Sequence, residues 1–162
     1  MPSPIVVRRA ASDEGDEIGL LTAAAYRDDP VVDASYAREL ADGTSRVRDA
    51  HVLVALAGLR LVGSVTLAEP GTPFAEIARD GELEVRMLGV DPAARRLGVA
   101  DRLMDGAEQR ARDRGLRAVV LSTADHMTAA HSLYEGRGYE RHPERDWNVL
   151  ADLRLLVYRL AL

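Results

Sequence analysis

An α+β (mixed α/β) fold is predicted by three features of the chain. β-rich runs lie near its start and end, a strand–helix–strand–helix stretch fills the middle, and apolar residues in that stretch switch between a period of two and a period near 3.6. With 162 residues, 47% of them hydrophobic, one domain spanning residues 1–162 around a single core is expected.

Ile5-Val6-Val7-Arg8 reads as a first strand. The polar cluster at residues 12–16 reads as the start of a helix with Ile18, Leu21 and Ala25 on its apolar face. A second helix is expected from Ser35 to about Val47. Residues 51–56 and 61–67 are β-rich and separated by Ala57-Gly58-Leu59-Arg60, which predicts an antiparallel hairpin. After the loop at residues 69–73 comes a strand over residues 82–90, where Leu83, Val85 and Met87 alternate with Glu82, Glu84 and Arg86. Gly89 near its end suggests a bulge or a close approach of another backbone. Beyond Asp91-Pro92 a helical pattern runs to Arg114 and stops at Gly115, with Val99, Leu103, Ala107 and Ala111 forming a core-facing stripe. Residues 117–122 read as a strand, 127 to about 135 as a helix, and 153–160 as a last strand.

Composition narrows the function classes. With a charged fraction of 29%, a mean hydropathy of -0.14 and ample Val and Leu, the chain is of the ordinary folded type. The lack of cysteine excludes disulfides, thiolate metal sites and thiol nucleophiles. No apolar run approaches the ~20 residues of a membrane span, and no basic segment precedes an apolar one at the N-terminus, so a cytoplasmic protein without a membrane partner is expected. All 21 basic residues are arginine, and the net charge of -5 disfavours a nucleic-acid partner. Charge is unevenly spread: residues 11–50 hold ten acids against four arginines, whereas residues 91–117 hold seven arginines against five acids.

Arg95-Arg96-Leu97-Gly98-Val99-Ala100 lies between a strand and a helix, where free backbone N–H groups and the helix dipole favour phosphate. It has neither the Gly-Lys-Ser/Thr of a P-loop nor the three glycines of a dinucleotide fingerprint. Taken with Leu88-Gly89-Val90-Asp91-Pro92 upstream, and with Ala130, Leu133-Tyr134-Glu135 and Gly138-Tyr139-Glu140 downstream, the segment resembles the Arg/Gln-x-x-Gly-x-Gly/Ala signature of the GNAT acetyltransferases. Arg95, Gly98 and Ala100 fill that signature. Met127 departs from the asparagine common at its place.

The resemblance implies a sheet of about seven strands, mostly antiparallel, flanked by about four helices. Two parallel central strands, over residues 82–90 and 118–122, would splay apart and leave Leu88 and Val90 without ladder partners. Acetyl-CoA would then enter as acetyl donor, its pantetheine arm along Leu88, Gly89 and Val90. Its pyrophosphate would lie on the backbone of Arg96, Leu97, Gly98, Val99, Ala100 and Asp101, with Arg95 and Arg96 in side-chain reach and the helix starting near Gly98. Family position also implies Glu84 as general base, with Glu82 or water as substitutes, and Tyr134 as the acid that protonates the departing thiolate.

The expected reaction is N-acetyl transfer to a primary amine, most readily of a small cationic molecule, by direct attack on the thioester. The reading from a different class is a non-catalytic acyl-CoA sensor, which would need the loop at residues 95–100 but neither Glu84 nor Tyr134. No metal is expected: His126 and His131 are five apart, and His51 and His142 have no partner at ligand spacing. Ser122, Asp125 and His126 lack the nucleophile elbow of a hydrolase. Trp147 reads either as core or as a wall of the acceptor pocket. The protein is expected as a monomer or a homodimer.

Overall fold

A computed structural model describes residues 3–162, and the elements follow one another as β1 (Ile5–Arg9), α1 (Gly15–Ala25), α2 (Ala34–Ala41), α3 (Gly43–Asp49), β2 (His51–Ala57), β3 (Arg60–Ala68), β4 (Glu82–Val90), α4 (Val99–Asp113), β5 (Ala118–Ala124), α5 (Thr128–Gly136), β6 (Glu140–Arg141), β7 (Trp147–Leu150) and β8 (Leu153–Ala161). Eight strands form one sheet in the order β1-β2-β3-β4-β5-β8-β6, with β7 paired to β8. Every pairing is antiparallel except β4 with β5. The fold class read from the sequence holds; the eighth strand and the fifth helix are additions.

The fifth helix arises because the span expected to be one helix breaks at Asp42. Its carboxylate accepts the Ser45 N–H at 3.0 Å and the Ser45 hydroxyl at 2.6 Å, ending α2 and capping α3. The break lets α3 meet α1 through glycines, since a β-carbon on Gly43 would collide with the Gly15 carbonyl oxygen. Fully buried Arg46 ties the junction, donating to the carbonyls of Glu39 and Asp42 and to the Thr22 hydroxyl.

The central core lies between the sheet and α4. Val99, Leu103, Ala107 and Ala111, the stripe read from the sequence, are all buried there, with Leu83, Val85, Val119 and Leu121 in the same cluster. α4 starts at Val99, after a 3₁₀ turn at Pro92–Ala94, rather than at Pro92 as periodicity alone would have it. Among the described residues no helix is long and apolar enough to cross a membrane.

β4 bends where it matters. Ser64 of β3 faces Gly89 and Thr66 faces Arg86, so Met87 and Leu88 together oppose the single residue Val65. This is a bulge, and Met87 takes the strain at φ 53. Gly89 is therefore not the bulge residue; it is the close approach, where a β-carbon would stand 3.2 Å from the side chain of Ala25 in α1. β4 pairs with β5 only from Glu82 to Val85, and beyond Leu121 the two strands part.

Candidate active site

Two cavities meet at this gap. The first, about 280 Å³, is walled by the α1–α2 connection and α2 (Tyr26, Asp29, Asp33, Tyr36, Glu39), by β4, by the splayed end of β5 and by the β7–β8 hairpin. The second, about 340 Å³, lies between the end of α1, Leu88, Gly89, Val90, Arg95, His126 and Met127. Tyr26, Asp29, Leu88 and Met127 line both.

On the second side the site is built from backbone. Arg96 (φ 65) and Gly98 (φ 76) are both left-handed, turning the chain into α4 so that the N–H groups of Val99, Ala100 and Asp101 have no acceptor within the helix. A β-carbon on Gly98 would meet nothing within 4 Å, so the approach to those donors is open. Such an exposed set of donors at a helix N-terminus fits a pyrophosphate, and the cavity beside Leu88 and Val90 fits a pantetheine arm. Arg95 lines that cavity, but its guanidinium donates to the Ala25 carbonyl at 3.3 Å. Leu88 has no ladder partner on either side, as expected, and the Tyr26 hydroxyl donates to its carbonyl at 3.0 Å; Val90, against expectation, pairs with Gly63 of β3.

On the first side the site is built from side chains. Glu84 lines the cavity and is 2% exposed; its Oε1 accepts the N–H groups of Glu76, Ile77 and Ala78 at 2.8, 2.8 and 2.9 Å. Its Oε2 has no hydrogen-bond partner among the described residues. Glu82 is also buried but lies outside both linings, bound by Arg145 at 2.8 Å and by Arg159 at 2.8 Å. Burial works to raise its pKa, and the bonds from Arg145, the Arg79 N–H and Arg159 outweigh that, holding it at about 2. A carboxylate so held is a poor proton acceptor near neutral pH, so the substitute role expected for Glu82 falls away.

Tyr134 also lines the first cavity, and its hydroxyl has no partner among the described residues. Burial raises its pKa, so the phenol keeps its proton. The cavity wall carries five carboxylates (Asp29, Asp33, Glu39, Glu76, Glu84) against one guanidinium, Arg86. Arg86 already pairs with Glu76 at 2.7 Å and reaches Glu39 at 3.9 Å. Burial pushes the Glu76 carboxyl up, and the negative charges of Glu84 and Glu39 add to the rise against Arg86. The uneven charge of residues 11–50 thus enters the site through Asp29, Asp33 and Glu39.

Several wall residues went unread in the sequence: Tyr26, Tyr36, Glu39, Glu76, Arg86, and the pair formed by His126 Nε2 and Asp29 at 3.0 Å. Tyr36 and Glu39 share one face of α2, but no pattern in the chain relates them to Tyr26, Glu76, Arg86 or the His126–Asp29 pair, which reach the cavities from other elements. Trp147 is outside both linings and donates to the Ser122 hydroxyl at 3.0 Å, bracing β7 against β5. Among the described residues no group of three or more His, Asp or Glu is arranged to hold a metal.

Residues 15–139 match the model of the acetyltransferase (GNAT) family. A mycothiol acetyltransferase of Geodermatophilus obscurus is 32% identical over 152 residues, covering 88% of this chain and 46% of that protein, so the chain spans about half the length of this relative. A putative acetyltransferase of the same family from Desulfovibrio desulfuricans superposes with a TM-score of 0.74 at 16% identity, covering 98% of this chain and 99% of the other. An N-acetyltransferase of Thermoplasma acidophilum in complex with coenzyme A gives 0.74 at 12% identity over 97% and 99% of the two chains. Both structures share the fold of this chain.

Proposed function

The chain belongs to the acetyltransferase (GNAT) family, and from that premise we propose that it moves the acetyl group of acetyl-CoA onto the primary amine of a small cationic acceptor by direct attack on the thioester. The observation that carries this reading is the meeting of two cavities at the β4–β5 gap, one lined by Leu88, Gly89, Val90 and Arg95 just ahead of the free N–H groups that start α4, the other walled by carboxylates. The donor supplies an activated acetyl group; the protein supplies position, charge and proton transfer. The same proposal takes residues 1–162 as one catalytic domain, active in the cytoplasm as a monomer or homodimer.

Backbone N–H groups at residues 96–101 hold the pyrophosphate, and Leu88, Gly89 and Val90 line the pantetheine arm. A primary amine with a pKa near ~10.4 arrives protonated and must lose that proton before it attacks. Glu84 Oε2, free of protein partners and facing the acceptor cavity, takes it directly or through one water. The developing oxyanion lies near the N–H groups of residues 88–90. Tyr134 then delivers its proton to the departing thiolate sulfur. The five-to-one excess of carboxylates favours an acceptor with positive charge beyond the reacting amine over one with a carboxylate beside it.

The test is to incubate the protein with acetyl-CoA and a panel of diamines, amino acids and neutral amines while following release of free thiol. Turnover greatest with diamines is expected. Tight CoA binding without turnover on any amine would instead establish a non-catalytic acyl-CoA sensor.

A further inference from the structure

α4 carries acids at residues 101, 105 and 108, spaced so that all three lie on one stripe of the helix. That stripe meets a single guanidinium. Arg137, at the C-cap of α5, places Nη1 at 3.0 Å from Asp101 Oδ1, Nη2 at 2.6 Å from Asp105 Oδ1, and both Nη2 and Nε within 3.0 Å of Glu108 Oε2. Nη1 also donates to the Asp101 carbonyl at 3.2 Å, so it grips side chain and backbone of the first helical turn together. The guanidinium is 14% exposed, whereas Asp101 and Asp105 are 58% and 62% exposed.

Asp101 is the one acid in the first turn of α4, where the N–H groups of residues 99–101 are free. Left unpaired, a carboxylate there repels a second anion arriving at the same turn. Arg96 and Arg102 form no ion pair among the described residues and do not offset it by contact. We propose that Arg137 is a built-in counter-ion, which partly offsets Asp101 while also pairing Asp105 and Glu108, and so keeps the N-terminal turn of α4 receptive to the diphosphate of CoA. The inference rests on the assignment of that turn to CoA. Arg137 touches no reacting atom; it is a positioning residue acting through Asp101.

A purely structural role, tying α5 to α4, would loosen the whole site and weaken every ligand alike. A counter-ion role touches only the part of the ligand that carries phosphate. The experiment is calorimetric titration of the full chain with CoA and with pantetheine, which lacks the diphosphate, for wild type, Arg137→Gln and Arg137→Gln/Asp101→Asn. Arg137→Gln is expected to weaken CoA about tenfold at low salt and less at high salt, with pantetheine unchanged. Adding Asp101→Asn is expected to bring CoA back to within about threefold of wild type. Should Arg137→Gln fail to fold, Arg137→Lys reads the same quantity, with a loss of about threefold for CoA and none for pantetheine. Equal weakening of both ligands, or a CoA loss that Asp101→Asn does not relieve, overturns the counter-ion and leaves a structural brace. Wild type that binds no CoA overturns the assignment of the turn itself, whereas wild type and Arg137→Gln binding CoA equally overturns the counter-ion alone.

Discussion

The two ends of β4 differ in kind. From Glu82 to Val85 the strand is zipped to β5, and its polar face is sealed at Glu82 by the loop at residues 69–81, while Glu84 already borders the first cavity. From Met87 to Val90 it is bulged, parted from β5 and open to both cavities. Glu82 and Glu84 point to one face, two residues apart, yet the first anchors two arginines while the second hands its remaining oxygen to a cavity. Residue type and alternation are the same for both. What separates them is the distance to the point where the ladder ends.

Substitutions at the two ends should therefore fail in different ways. The largest effect is expected at the sealed end. Glu82→Gln should lower unfolding free energy by roughly 3 kcal/mol at neutral pH, because it strands Arg145 and Arg159, while kcat holds. Its folded pKa of about 2 lies below the ordinary 4.5, so its contribution is complete above pH 4.5 and is lost as pH falls through 2. Denaturant unfolding followed across that range should show a flatter acid limb in the variant. Facing the same cavity as the open end, from α5, Tyr134→Phe should cut kcat about a hundredfold, some 2.7 kcal/mol, with little change in melting temperature. An unchanged kcat would remove Tyr134 from the acid role.

Glu84→Gln sharpens the comparison further, since an amide oxygen can still accept the N–H groups of residues 76–78 but cannot act as a base. A fall in kcat of about tenfold, with stability nearly kept, is expected. If stability drops and kcat does not, Glu84 belongs with Glu82 as an anchor. The smallest effect is expected at Gly98→Ala, where the new methyl meets open space but the left-handed backbone resists it, costing about 1 kcal/mol. The accompanying rise in KM for acetyl-CoA, with KM for the amine unmoved, would keep the backbone-built side distinct from the side-chain-built one.

On the backbone-built side the strand–loop–helix order was legible in the sequence, with Gly98 marking one left-handed turn, whereas Arg96 and Met87 take the same conformation with no residue signal. The strand over residues 82–90 matched its observed bounds, and the α4 stripe is buried as read. Periodicity overran the start of α4, since Pro92–Ala94 is helical in a tighter sense and Gly98 resets the chain. The acceptor side was mostly illegible. Its walls come from α1, α2, β4, β5 and the β7–β8 hairpin, and no spacing in the chain relates Glu39 to Glu76 or Tyr26 to Leu88. The helix break at Asp42 did carry a local signal, an N-cap carboxylate three residues before Ser45, which periodicity alone passes over; the packing of Gly43 on Gly15 adds to it only after α1 and α3 have met.

Val65 of β3 faces two residues where a regular ladder would give it one, and that surplus is the width of a single codon. Deleting Met87 would leave Leu88 alone opposite Val65 and let β4 resume even pleating along β3. The chain would have a straighter strand and no crossing point between its two cavities. Met87 is thus the one inserted residue on which the bend of β4 depends, and its left-handed backbone is the local strain that the open end of the strand carries.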